Sequence, residues 1–187
     1  MKLKNIIPKW LIENSTSTYS YGCVMIYFDF PKIEEIHSLI EVEDLYEEDE
    51  DATYGLEDEP HTTILYGLHD DEVSLAQVKS AVTKYTFTDC LIYNPSLFRN
   101  EKYDVLKFQV DGDNLHKANA ELKALPHTSS FPRYHPHLTI AYLQSGKGTD
   151  YVNLLNERGL NSFKLTPSHI IYSQPDGTKN KINIKVF

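Results

Sequence analysis

Pro60-His61-Thr62-Thr63-Ile64-Leu65-Tyr66 and Pro136-His137-Leu138-Thr139-Ile140-Ala141-Tyr142 are one phrase written twice, with five of seven positions identical. The copies lie 76 residues apart, from 61 to 137, which points to a duplicated architecture. Residues two apart on a strand face the same way. Each copy therefore presents one imidazole beside one threonine hydroxyl: His61 with Thr63, and His137 with Thr139. Two such pairs facing each other would line a cleft with two proton-transfer groups and two hydrogen-bond donors. Ile64, Tyr66, Ile140 and Tyr142 fall on the opposite face and are expected in the core.

Working outward, the flanks repeat too. Residues 22–30 are rich in β-branched and aromatic side chains and read as a strand. Pro31 opens a short helix with Ile33, Ile36 and Ile40 at helical spacing. The acidic stretch Glu41 to Glu59 reads as a solvated loop, with a flap over the cleft as the alternative. The first phrase ends its strand at Gly67, and Asp70 or Asp71 caps a helix whose apolar face is Leu75, Val78 and Val82. A strand over 86–93 is broken by Asn94-Pro95-Ser96. A second pass begins with strand 103–110 and a helix opened by Asp111-Gly112-Asp113, carrying Leu115, Ala118, Leu122 and Leu125. The second phrase follows, then a helix over 149–158 with Gly159 as a left-handed cap. Strands 163–172 and 180–187 flank the turn signal Pro175-Asp176-Gly177.

Each half thus reads strand, helix, phrase strand, helix, strand. The expectation is one α+β domain over 1–187, with lobe one at about 20–95 and lobe two at about 100–187. A pseudo-two-fold axis would relate the lobes, with mainly antiparallel sheets lining a central cleft, the phrases on central strands and the helices outside.

Composition narrows the function. The 187 residues are 41% hydrophobic and 12% aromatic, enough for a sizeable core without staples. Cys23 and Cys90 fit reduced core positions. No apolar run approaches a membrane span and the amino terminus shows no signal-peptide pattern, so a soluble, cytoplasmic protein is expected. The net charge is −9 and the three arginines, Arg99, Arg133 and Arg158, form no cluster. A protein that grips long nucleic acid needs a basic stripe, so a small nucleotide is the favoured partner. The oligomeric state is not legible.

Histidine, with an ordinary pKa of ~6.5, gives or takes a proton at neutral pH. One imidazole could deprotonate a nucleophile while the other protonates a leaving oxygen, and the threonines could hold phosphate oxygens as charge develops. His135-Pro136-His137 resembles a metal pair, but Glu59 replaces His135 in the first copy, so no metal and no cofactor are expected. Arg133 and Tyr134, just before the second phrase, could reach a substrate phosphate or base. Tyr19 and Tyr21, before the first strand, could stack on a nucleobase.

The repeated H-x-T-I phrase resembles the 2H phosphoesterase superfamily. That resemblance implies a metal-independent phosphodiesterase with a bilobal α+β fold, paired histidines at His61 and His137, and phosphate-contacting hydroxyls at Thr63 and Thr139. Within the superfamily, Tyr54-Gly55-Leu56-Glu57-Asp58-Glu59-Pro60-His61, running into Leu65-Tyr66-Gly67-Leu68-His69, looks most like the phage anti-CBASS nucleases. These degrade cyclic oligonucleotide alarm messengers of infected bacteria. The implied reaction cuts a 3′–5′ bond of a cyclic di- or trinucleotide through attack by the ribose 2′-OH, leaving a 2′,3′-cyclic phosphate. An RNA-end enzyme acting on 2′,3′-cyclic phosphates or 2′–5′ linkages, or a binding module that sequesters a nucleotide, are the alternatives.

Overall fold

The computed structural model describes residues 20–48, 54–129 and 133–186. The elements run β1 (Tyr21–Phe28), α1 (Ile33–His37), β2 (His61–His69), α2 (Leu75–Val82), β3 (Thr86–Phe87), β4 (Cys90–Arg99) and β5 (Tyr103–Asp111). They continue α3 (Leu115–Leu122), β6 (His137–Gln144), α4 (Gly148–Glu157), β7 (Ser162–Leu165), β8 (Pro167–Ser173), β9 (Lys179–Ile182) and β10 (Lys185–Val186). Two four-stranded antiparallel sheets result, ordered β2-β1-β8-β9 and β6-β5-β4-β7, with a small parallel β10-β3 pair beside them. The architecture is α+β, as expected.

The chain is not divided between the sheets at residues 95–100. β4, from the first half, pairs with β5, while β8, from the second half, pairs with β1. Each repeat lends its third strand to the other's sheet, so neither half closes a sheet alone. The single strand expected over 163–172 is in fact two. It changes sheets at Thr166, β7 joining β4 and β8 joining β1. Asn94-Pro95 does not end β4. Tyr93 pairs with Gln109 and Ser96 with Lys107, so two residues bulge opposite one, with Asn94 at φ 54°. A bulge is a place where proline's missing N–H costs the ladder nothing. The cap of α2 is Ser74, which accepts from Gln77 N while Gln77 Oε1 accepts from Ser74 N. Asp70 is engaged elsewhere, by Tyr172 and Gln174, and Leu75 lies on the exposed side of the helix.

One face of each sheet packs under the helices in a common core. Val24 and Ile26 of β1, Leu106 and Phe108 of β5, Val78 and Val82 of α2, Leu115 and Leu122 of α3 and Leu155 of α4 all belong to it. The other faces carry two smaller clusters: Cys23, Met25, Tyr27 and Ile171 with Tyr66 on one sheet, and Tyr54, Tyr103, Val105 and Tyr142 with Tyr46 on the other. Among the described residues no helix is long and apolar enough to cross a membrane.

The phrase strands are the last strands of their sheets, not central ones, and the two edges meet. Thr62, fully buried, donates from Oγ1 to the His137 carbonyl at 3.0 Å. Elsewhere each edge is covered by the loop that precedes the other phrase. Tyr46, Gly55 and Glu57 bond along β6 through Tyr46 N to Tyr142 O, Tyr142 N to Gly55 O and Glu57 N to Ile140 O. Pro126 and Thr128 bond along β2 through His69 N to Pro126 O and Thr128 N to Gly67 O. Gly67 permits the second contact: its φ is +103°, and a Cβ there would stand 1.9 Å from the Thr128 oxygen. The described ends of the acidic stretch are therefore sheet-edge cover rather than solvated loop, which satisfies main-chain groups that an open edge would leave unpaired. Residues 49–53 lie outside the described residues.

Candidate active site

Register puts the four motif side chains where the phrases predict. His61 pairs with Tyr27 and Thr63 with Met25 on β1; His137 pairs with Gln109 and Thr139 with Lys107 on β5. Each histidine and threonine therefore shares the face turned away from the helix-covered core. Beyond the threonine both strands slip. Ile64 is the extra residue between the pairs Met25–Thr63 and Val24–Leu65, and Ile140 that between Lys107–Thr139 and Leu106–Ala141. A bulge rotates all that follows by one residue. Tyr66 and Tyr142 therefore do not lie in the main core as expected. They return to the histidine face, opposite Cys23 and Val105, and join the two smaller clusters. The shared isoleucine makes the same bulge twice, and the shared tyrosine is placed by it.

The imidazoles are fixed in the same way. His61 Nδ1 lies 2.8 Å from the Glu59 carbonyl and His137 Nδ1 lies 3.0 Å from the His135 carbonyl. A carbonyl only accepts, so each Nδ1 carries the proton and Nε2 is left as the nitrogen that exchanges one. The contact uses main chain two residues upstream, so it tolerates glutamate in one copy and histidine in the other. That also uses one nitrogen of the His135-Pro136-His137 pair. Among the described residues no group of three or more His, Cys, Asp or Glu stands together in a metal-ligating arrangement.

The surroundings of the two rings differ. His61 is 9% exposed and stacks on Tyr27 at 5.2 Å, and the far face of Tyr27 stacks on His169 at 5.0 Å. Glu57 Oε2 stands 4.0 Å from His61 Nδ1, and Glu57 Oε1 accepts from the Glu59 N–H at 3.0 Å. The Glu57 carboxyl is nearly buried, and that burial raises its pKa above the usual range while the neighbouring His61 pulls it back. His137 instead meets the edge of Phe98 at 4.9 Å, with Lys107 Nζ 4.3 Å above that ring. Burial pulls the His137 pKa down from 6.5 to about 4, against the pull of the His135 carbonyl; Lys107 and His61 push it the same way. A pocket of about 500 Å³ opens beside His137, lined also by Lys107, Gln109, His116 and Tyr134.

Of the other candidates, Arg133 is exposed. Tyr134 lines the pocket with its ring, but its hydroxyl donates to the Thr63 carbonyl at 3.1 Å and braces the two phrases rather than reaching for a phosphate. Tyr21 sits at the far end of β1, against Tyr66 and His69 at 5.9 and 6.2 Å, six residues from Tyr27. Tyr19 lies outside the described residues. Glu57, Lys107 and Tyr27 escaped the sequence reading. Lys107 had a signal: it is the lone cation, at a cleft-face position, of a mostly apolar strand, Tyr-Asp-Val-Leu-Lys-Phe-Gln-Val.

No family model and no curated protein matches the chain. Among solved structures, that of Kluyveromyces marxianus Usb1 is similar, with a TM-score of 0.58 over 88% of this chain and 98% of that one, at 8% sequence identity. The fold is the 2H phosphoesterase fold. At that identity the likeness speaks for the backbone arrangement, and the site is argued from its own residues.

Proposed function

We propose that the protein is a 2H-type phosphodiesterase that works without a metal ion and opens a 3′–5′ bond in a small cyclic oligonucleotide. The observation that carries this reading is the pair of H-x-T phrases on abutting strands, each imidazole pinned through Nδ1 so that Nε2 is left for proton transfer. His137, held neutral at pH 7 by burial, accepts the proton of the ribose 2′-OH. The 2′ oxygen attacks phosphorus, and the bond to the 5′ oxygen breaks. His61, whose imidazolium has the Glu57 carboxylate as countercharge, gives its proton to the departing 5′ oxygen. The products are a free 5′-OH and a 2′,3′-cyclic phosphate. Thr63 and Thr139 hold the non-bridging oxygens on which charge builds.

Two facts favour a cyclic di- or trinucleotide. The net charge of −9 suits a small anion better than a polymer. The segment 54–61, which resembles the anti-CBASS nucleases, also builds the site: Tyr54 packs on Tyr142 and Glu57 stands beside His61. In that setting the enzyme would erase a bacterial antiphage signal from the cytoplasm of the infected cell. The second reading, an enzyme of RNA ends, is favoured by the likeness to Usb1, an RNA 3′-end processing enzyme. The purified protein, incubated in excess EDTA with cyclic di- and trinucleotides, 2′–5′ oligoadenylate and RNA bearing 2′,3′-cyclic phosphate ends, separates the two. Cleavage of the cyclic substrates, abolished by 2′-deoxyribose at the cut linkage, is the expected result. Turnover of RNA ends alone would move the assignment to the second reading. Binding without turnover would make the protein a nucleotide-sequestering module.

A further inference from the structure

We propose that Lys107 is the anion anchor of the cleft, its ammonium binding a non-bridging phosphate oxygen beside Thr139 and His137. The proposal rests on reading the cleft as a phosphate site and adds the residue that supplies its positive charge. Lys107 is directly opposite Thr139 in the β5–β6 ladder and is only 6% exposed. Its neighbours are uncharged acceptors: Ser96 Oγ at 2.9 Å takes one of its three donors, and the Phe98 ring lies beneath it. Among the described residues Lys107 forms no ion pair. Lys32, Lys84, Lys102, Lys147, Lys164 and Lys179 each stand beside a carboxylate, and the other described lysines without an ion pair are exposed or half-buried, whereas Lys107 is buried. A buried cation without a countercharge is costly to keep, and a strand position flanked by Leu106 and Phe108 would accept an apolar residue instead. Met25 shows this, since it holds the corresponding place opposite Thr63 on the other sheet. An incoming phosphate would supply the missing charge. Burial also pulls the Lys107 pKa below the usual lysine range, and a bound anion would push it back up.

Inorganic phosphate serves as the probe, because its binding is read without turnover. Calorimetric titration of the wild-type protein should show salt-sensitive phosphate binding, weakened about ten-fold or more in Lys107→Met and kept within a few-fold in Lys107→Arg. Thermal unfolding without phosphate should place Lys107→Met at or above the wild type. That outcome separates a ligand anchor from a structural lysine, whose removal would lower the Tm. Lys107→Gln, and phosphate-dependent shifts of the Lys107 and His137 NMR signals in the wild type, keep the test open should Lys107→Met not fold. Equal phosphate affinity in wild type and Lys107→Met, or no phosphate effect on those two residues at tens of millimolar, would overturn the proposal. A protein that cleaves none of the nucleotides yet loses phosphate on Lys107→Met keeps the anchor and loses the phosphodiesterase reading. Efficient turnover with unchanged phosphate binding in that variant does the reverse.

Discussion

Around His61 and around His137 the backbone is the same and the chemistry is not. Both strands carry histidine, threonine, a bulge at isoleucine and a returning tyrosine, and both rings are pinned by a carbonyl two residues upstream. Four residues before the histidine, however, one copy has Glu57, nearly buried, and the other has Arg133, exposed. Opposite the threonine, one has Met25 and the other Lys107. The shared skeleton follows from the repeated phrase, and under the proposed mechanism the differences at −4 and across the ladder would give the two imidazoles different work. Unequal surroundings would let one imidazole serve as the acid and the other as the base at a single pH.

The shared skeleton is broken most severely by deleting Ile64 or Ile140. Either deletion closes the bulge, leaves Leu65 opposite Val24 or Ala141 opposite Leu106, and removes a fully buried isoleucine from the main core, and about 3 kcal/mol or more of stability should go with it. Chemical denaturation reads the loss, and a variant as stable as the wild type would show that the bulge is incidental. The divergent part is tested by comparing the −4 positions. Glu57→Gln should cut kcat/KM about ten- to a hundred-fold, because His61 loses its countercharge, whereas Arg133→Ala should stay within about three-fold. Equal effects at both positions would erase the assignment of acid and base.

The same difference appears in pH dependence. His137 has its folded pKa lowered to about 4 from 6.5, so between those values the unfolded chain binds the proton that the folded one refuses. Stability contributed by this group is complete above pH 6.5 and is lost as pH falls toward 4. Thermal unfolding across that window should show a falling Tm, flattened in His137→Gln; identical slopes would place the responsible group elsewhere. The smallest effects are the braces between the phrases. Thr62→Val and Tyr134→Phe each remove one interlobe hydrogen bond and should cost about 1 kcal/mol, measured by denaturant titration.

The skeleton was legible in the sequence because it is written in residue identity. The doubled phrase, the helix periodicities and the Pro-Asp-Gly turn named nearly every element and the four motif residues. The exchange of β4 and β8 was not legible, since strand partners are chosen by contacts between distant segments that no local pattern encodes. Tyr66 and Tyr142 were misplaced because strict alternation assumes an unbroken pleat, and one bulging isoleucine reverses it. Glu57 lay unseen within an acidic run whose other described members have more exposed side chains. Its main-chain bond to Ile140, with that of Gly55 to Tyr142, draws it to the cleft. Lys107 became meaningful when its partner across the ladder proved to be Thr139.

The central claim is that the two phrases form a single acid–base site. Single-turnover cleavage of a cyclic dinucleotide by the wild type, His61→Ala, His137→Ala and the double variant tests it most directly. Residues acting as one unit are strongly non-additive. Each single variant should therefore lose about 10²–10⁴-fold, with the double variant little worse than either. Losses that multiply in the double variant, or near-normal turnover in one single variant, would mean that the phrases do not share a reaction.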